Sequence, residues 1–369
     1  MEKILTSIQD LLVIWSPLQK PLNNNKEKKK QEQNSLISPD DQLFLYETVS
    51  VLIVTCNLPA NNKAVLMKNL LAPTVSCFST LLEKYYNIPT YDEKTKLVYA
   101  NCLNTAMLVA SRASKGFSNQ IKVKDCECVD IFLEILRIFM PVVSINTHKN
   151  LICAGLRQYL HRMIVCLDNE VLEYLPLTIE HFIKNSNEPK DLYDLMPLIN
   201  QILNKYKQQI VPFMSLIIIP LLNTILNFVN STPIESITQS NILKITPIQL
   251  TTATAIVPSC VIPNATSIVN KPLANGELSI DAQFVLDTQL LYKSFFQFMI
   301  NIVNNDLMDI ISSQNANDLY KIYYTLIQAA QEGSLEIIKC CFQVIRKFIT
   351  VFGDMQFYTF LKFDKLKNK

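Results

Sequence analysis

Metal binding and nucleophilic or acid–base chemistry near neutral pH would draw first on histidine and cysteine. The sequence has three histidines, His148, His161 and His181, and ten cysteines in 369 residues. Their spacing argues against both kinds of chemistry. Cys126-Glu-Cys128 and Cys340-Cys341 are closer together than the two-residue-spaced cysteine pairs of zinc sites. His148 and His181 have no acid or cysteine at ligand spacing. His161 adjoins Arg162 and follows Arg157 by one helical turn, poor company for a cation. Most cysteines, Cys102, Cys153 and Cys166 among them, fall in apolar helical stretches and read as reduced, buried small hydrophobes, as in a reducing compartment. Only five glycines occur, which leaves no glycine-rich phosphate loop. No catalytic residue, metal site or cofactor is expected, and the chain does not read as an enzyme.

Cations carry more information. The net charge is only +2, so anion binding must come from local asymmetry. Between positions 97 and 124 stand Arg112, Lys115, Lys122 and Lys124 with no acid, and Asn119 adds a neutral donor. The segment covers a helix C-terminus and the following loop. A weaker acid-free stretch, 147–166, holds Lys149, Arg157 and Arg162, and helical spacing puts Arg157, Gln158, His161 and Arg162 on one polar face. Both are candidate phosphate-binding surfaces. The plain alternative is that Arg112 and Lys115 complement a helix dipole and that charged helix faces are merely solvated.

The elements that would position these residues are helices. Val129, Phe132, Leu133, Leu136 and Met140 form one apolar stripe, and Ile152, Leu156, Tyr159, Leu160, Met163 and Leu167 another. The period predicts helix pairs over 40–57 with 61–86, 93–117 with 124–143, 147–167 with 170–184, 191–209 with 212–229, and 281–313 with 316–330, then a last helix over 334–352. First-helix starts at 40, 93, 147 and 191 are 53, 54 and 44 residues apart, near the HEAT-repeat interval of about 40–47. The expected fold is therefore all-α: five to six antiparallel pairs in a right-handed HEAT-repeat superhelical solenoid, without sheet, each pair burying its apolar face on the next. Ser38, Asn146 or Thr147, and Asn315 or Asn317 are the expected N-caps. The charge-free stretch 210–234 is interrupted by prolines and asparagines and reads as a buried array helix rather than a membrane span. No signal peptide is recognisable.

The expected organisation is 1–15, the end of a preceding repeat; 16–38, a polar loop with Lys28, Lys29 and Lys30; 39–230, about four helix pairs; 231–280, an unstructured Ser/Thr/Pro-rich insertion; 281–353, further HEAT helices; and 354–369, a tail. Two glycosylation-type triplets, at Asn230 and Asn264, have no secretory feature behind them.

Polar identities inside this pattern go beyond generic helix spacing. They are Asp-Asp-Gln-Leu-Phe-Leu-Tyr-Glu-Thr at 40–48 with Val-Leu-Ile-Val at 51–54, Ala-Ser-Arg-Ala-Ser-Lys-Gly-Phe-Ser-Asn at 110–119, the runs 159–167 and 170–176, and Met-Pro-Leu-Ile-Asn-Gln at 196–201. In these the sequence resembles the exportin-T family of transfer-RNA nuclear export receptors, over most of 1–15 and 39–230 and more weakly over 281–353. The resemblance implies a karyopherin-type HEAT superhelix that binds transfer RNA together with GTP-bound Ran, meets nuclear pore proteins and shuttles between nucleus and cytoplasm. It implies no membrane, no small-molecule substrate and no catalytic role. The family's chains are far longer; this one corresponds to a middle-to-C-terminal piece, with the repeats that make the main Ran contact outside it and the 231–280 insertion foreign to the family pattern. The alternative reading is a HEAT scaffold, or another karyopherin, that binds only proteins and carries no RNA cargo.

Overall fold

The computed structural model describes residues 2–12, 38–89, 91–118, 120–231 and 280–352. Trp15, Asn119, nearly all of the 16–38 loop and 231–280 insertion, and the 354–369 tail lie outside these. Every regular element among the described residues is an α-helix or a 3-10 turn. Two compact units divide the chain, Met1–His181 and Phe182–Lys369.

The first unit contains α1 (Glu2–Ser7), α2 (Pro39–Thr55), α3 (Ala60–Asn87), α4 (Glu93–Ala113), α5 (Val129–Phe139) and α6 (Lys149–Cys166), and runs into α7 (Leu175–Lys184). Ser38 caps α2 as expected: its Oγ accepts the Asp41 N–H at 3.2 Å, with Pro39 in the first turn and Asp40 and Asp41 at the positive end of the dipole. Asp92 caps α4 by accepting the Thr95 N–H at 3.2 Å. The caps expected at Asn146 or Thr147 are not used. His148 holds that position in a left-handed conformation, φ 52°, without a side-chain cap.

The second helices of the pairs are more broken than their period suggests. The stretch 124–143 is a 3-10 turn (Lys124–Cys126), α5, and a second 3-10 turn (Met140–Ser144) around Pro141, which has no N–H for the helical ladder. The stretch 170–184 opens as a 3-10 segment (Asp168–Tyr174) before α7.

Packing in this unit centres on α4, which lies against α2, α3 and most extensively α6. Gly155 makes the α4–α6 approach possible. A Cβ there would stand 2.6 Å from Asn104 Oδ1 and 3.0 Å from Met107 Cε. Phe78, Phe139 and Tyr159 stack through the core, Phe139 edge-on to Tyr159 at 5.2 Å, and the Tyr159 hydroxyl donates to the Phe132 carbonyl at 2.8 Å. Tyr46 ties down the start of the chain. Its buried hydroxyl donates to the Leu12 carbonyl at 2.7 Å and lies 3.0 Å from Thr74 Oγ1.

The second unit contains α8 (Pro189–Tyr193), α9 (Met196–Tyr206), α10 (Val211–Asn230), α11 (Ile280–Asn304), α12 (Asp309–Ser312), α13 (Ala316–Glu332) and α14 (Leu335–Phe352). The helices expected over 191–209 and 281–313 are each split. Pro197 restarts a helix at α9, and Asp306, at φ 54°, turns the chain between α11 and α12. Asn315 caps α13 as expected, accepting the Asp318 N–H at 3.1 Å.

A seam of neutral polar pairs joins α9 and α10 to the elements after residue 280. Asn301 donates to Asn200 at 2.9 Å, Asn305 to Asn204 at 2.8 Å, and Ser313 to Ser215 at 2.9 Å. The paired residues are 98–101 apart in sequence. Without the 48 residues of 232–279, that offset falls to about 50–53, close to the interval between earlier pair starts. The helical stretch Pro189–Asn230, which ends in the charge-free α10, is long and apolar enough to cross a membrane, yet Phe213, Met214, Ile217, Leu221, Ile225 and others of α10 are buried.

Candidate nucleic-acid interface

The first basic segment is held against α2 by close contacts at its backbone as well as by its charges. The C-terminus of α4 presses on the middle of α2, where the Ser50 hydroxyl donates to the Ala113 carbonyl. The 3-10 turn that follows (Ser114–Gly116) touches α2 so closely that a Cβ on Gly116 would lie 2.5 Å from Ser50 Oγ and 3.0 Å from the Ser50 carbonyl. Glycine is needed there because no other residue leaves room for that approach. The turn sets Lys115 beside the last turn of α4, where Arg112 sits.

Both cations meet one carboxylate. Arg112 Nη1 lies 3.1 Å and Lys115 Nζ 3.4 Å from the same oxygen, Glu47 Oε2 on α2, and the three side chains are 37%, 36% and 29% exposed. The stretch is acid-free in sequence but not in space.

Beyond the turn, the loop is pinned from below. Phe117 is buried and packs edge-on to Phe132 at 5.7 Å, and Val123, Cys126 and Cys128 are buried with it. Ser118 Oγ accepts the Gln120 and Ile121 N–H groups, and Asp125 accepts the Lys122 N–H at 3.0 Å. Lys122 and Lys124 project outward, exposed, from this scaffold, with Asp125 and Glu127 also exposed nearby. Four cations thus face three carboxylates, Glu47, Asp125 and Glu127, so the patch is only mildly positive. Asn119 lies outside the described residues.

The second basic stretch does not form the polar face that its spacing suggests. Arg157 is buried, 7% exposed. Arg162 is half-buried and turned inward. Its Nε donates to Ser114 Oγ at 3.2 Å, and Nη2 donates to the Ser114 carbonyl at 3.1 Å and to Cys166 Sγ at 3.3 Å. It satisfies the end of α4 instead of facing solvent. The reason is that α6 is covered by α4, by α5 and by the turns around it, so a single 3.6-residue period does not identify an open side.

Two acids escaped the sequence reading. Glu47 precedes its partner Arg112 by 65 residues. Glu93 Oε2 lies 3.0 Å from His148 Nε2, a contact that local spacing did not indicate. Neither has a local signature. Among the described residues no group of three or more His, Cys, Asp or Glu side chains could hold a metal ion. The nine described cysteines are all free thiols. Burial pushes Cys102, Cys128 and Cys341 up to about 12, in keeping with packing groups, whereas Cys166 is only half-buried.

Comparison with known proteins bears on this arrangement. The Exportin-T family model matches residues 1–242. Exportin-T of Homo sapiens is 35% identical over 354 residues, covering 96% of this chain and 31% of its own length. Exportin-T of Mus musculus is 33% identical over the same span, and that of Arabidopsis thaliana 23% over 207 residues, 56% of this chain and 19% of its own. The chain spans about a third of the length of the vertebrate relatives it matches.

Proposed function

The chain belongs to the exportin-T family, a family of transport receptors rather than enzymes, and on that premise we propose that it serves within a receptor that exports transfer RNA from the nucleus together with GTP-bound Ran. In this reading the receptor engages nuclear pore proteins and shuttles between nucleus and cytoplasm, and its principal Ran contact lies outside this chain. Folded transfer RNA presents A-form geometry, 2′-hydroxyls and phosphates, so a shape-reading receptor meets it mainly through phosphate and sugar. The observation that supports an RNA role for the 112–124 segment is that Lys122 and Lys124 are exposed next to buried Val123 and Cys126, while Arg112 and Lys115 share one partly exposed carboxylate. Asn119 is included as a neutral donor. Arg157 and Arg162 are not, because their side chains are committed inside the unit.

The test is an electrophoretic shift with mature transfer RNA, with and without GTP-bound Ran, and full-length exportin-T as positive control. Reversing both lysines, Lys122→Glu with Lys124→Glu, should weaken binding alike for all transfer RNAs. It should also flatten the dependence of log affinity on log salt by about one to two units, from about 0.7–0.9 per phosphate. Unchanged affinity and slope would place the RNA surface elsewhere and favour the protein-only scaffold.

A further inference from the structure

We propose that Glu47 is a resident competitor for RNA phosphate: its carboxylate occupies the Arg112–Lys115 pair until a phosphate oxygen displaces it. This rests on the reading of 112–124 as an RNA surface. A single oxygen, Glu47 Oε2, serves both a guanidinium and an ammonium group, at 3.1 and 3.4 Å. One oxygen bridging two cations is also the arrangement a backbone phosphate offers, and carboxylate and phosphate are interchangeable partners for arginine.

The placement of Glu47 is fixed by the fold and not by the flexibility of long side chains. Glu47 lies one turn before Ser50, and Ser50 is bonded to the Ala113 carbonyl and pressed against Gly116. The three backbone positions therefore cannot drift apart without breaking the α2–α4 contact. The side chains, however, are each about a third exposed, open to a solvent-borne anion. The triad carries one net positive charge, so it still attracts an anion while its own acid discourages weak ones. A surface ion pair of this exposure is readily exchanged. Its consequence is selectivity: isolated phosphates compete poorly with the tethered carboxylate, whereas a polyanion held at the same time by Lys122 and Lys124 is delivered at high effective concentration.

The test compares the full chain with Glu47→Gln, which keeps the shape and removes the charge. Transfer RNA should bind about two- to thirty-fold more tightly at low salt, the range expected from releasing two exposed ion pairs. The salt dependence should steepen by about 0.7–0.9 for each cation released to phosphate. Glu47→Asp keeps the charge and shortens its reach, and should tighten binding less. With Arg112→Gln and Lys115→Gln already in place, Glu47→Gln should have no further effect. If the wild-type chain binds and Glu47→Gln leaves affinity unchanged or lowers it, Glu47 is only a staple between α2 and α4 and the proposal is overturned. If neither binds at any salt, the RNA reading of this surface falls, and the competitor with it. Thermal melting of each variant separates misfolding from either result, and Glu47→Asp serves should the glutamine variant fail to fold.

Discussion

Arg162 separates a structural cation from an RNA-facing one. Ser114, its partner, is fully buried at the end of α4, and Arg162 gives that residue two charged donors, 3.2 Å to the hydroxyl and 3.1 Å to the carbonyl. A hydrogen bond from a charged group contributes roughly 1.5–3 kcal/mol when buried, and leaving a buried acceptor unpaired costs a comparable amount. Arg162 is itself half-exposed, and the Cys166 thiol can still donate to the Ser114 carbonyl at 3.7 Å, so both figures are discounted. Replacing it, Arg162→Met, keeps the apolar stem and removes the fork; the expected loss is about 1.5–3 kcal/mol in total. Urea unfolding followed by far-ultraviolet circular dichroism reads this as a lower midpoint at unchanged slope for the transition of the first unit. Arg162→Lys keeps the charge without the planar fork and should fall in between. In RNA binding, by contrast, Arg162→Met should leave the salt slope where it was. An unchanged urea midpoint combined with a slope flattened by about 0.7–0.9 would refute this assignment and return Arg162 to the phosphate surface.

Two further outcomes follow from the packing and the charges. Gly155→Val forces a side chain into the α4–α6 contact, where Asn104 Oδ1 already lies 2.6 Å from the Cβ position, and should destabilise the first unit by about 1–3 kcal/mol in the same urea assay. Lys347 at 2.7 Å holds the Asp306 carboxyl below its ordinary value. Its folded-state value is thus below the unfolded one. The pair's contribution is present above the usual carboxylate range, near pH 3.9, and is lost as pH falls through the folded value. Lys347→Met should return the carboxyl to its ordinary titration, read by side-chain carboxyl NMR; a titration unmoved by the substitution would show that Lys347 is not the cause.

Helix ends written in single side chains were legible in the sequence: Ser38 and Asn315 cap where their residue types suggest. Pro141 and Pro197 mark two of the breaks, but the other turns were not legible, because the usual signal for them is glycine. This chain has five glycines and turns instead on Glu127, His148, Asp168, Lys207 and Asp306, each at positive φ among the described residues. A polar side chain tolerates that conformation at a cost of about 1–2 kcal/mol and looks like any other helix-surface residue. The candidate surface was half legible for a related reason. The cations of one loop are local in sequence, whereas Glu47, on α2, joins them only because α2 and α4 pack, and the inward turn of Arg162 depends on how α6 is covered.

The amide seam of the second unit has a mechanical consequence. Asn200 and Asn204 stand one turn apart on α9, and Gln297, Asn301 and Asn305 do the same on α11. Sliding one helix past the other by a single turn, about 5.4 Å, would set Gln297 against Asn200 and Asn301 against Asn204, and would carry Asn305 past the end of α9. Both asparagine rungs would still be an amide facing an amide. The two asparagine rungs therefore grip across the seam without fixing the register along it, and resistance to shear falls to the Ser313–Ser215 and Gln208–Asp306 bonds and to buried apolar side chains of the unit, Ile199, Leu203 and Ile302 among them. A disulfide formed between Asn200→Cys and Gln297→Cys would trap the displaced register. Failure to form one under oxidising conditions, while Asn200→Cys with Asn301→Cys closes readily, would show that those contacts hold the unit against sliding.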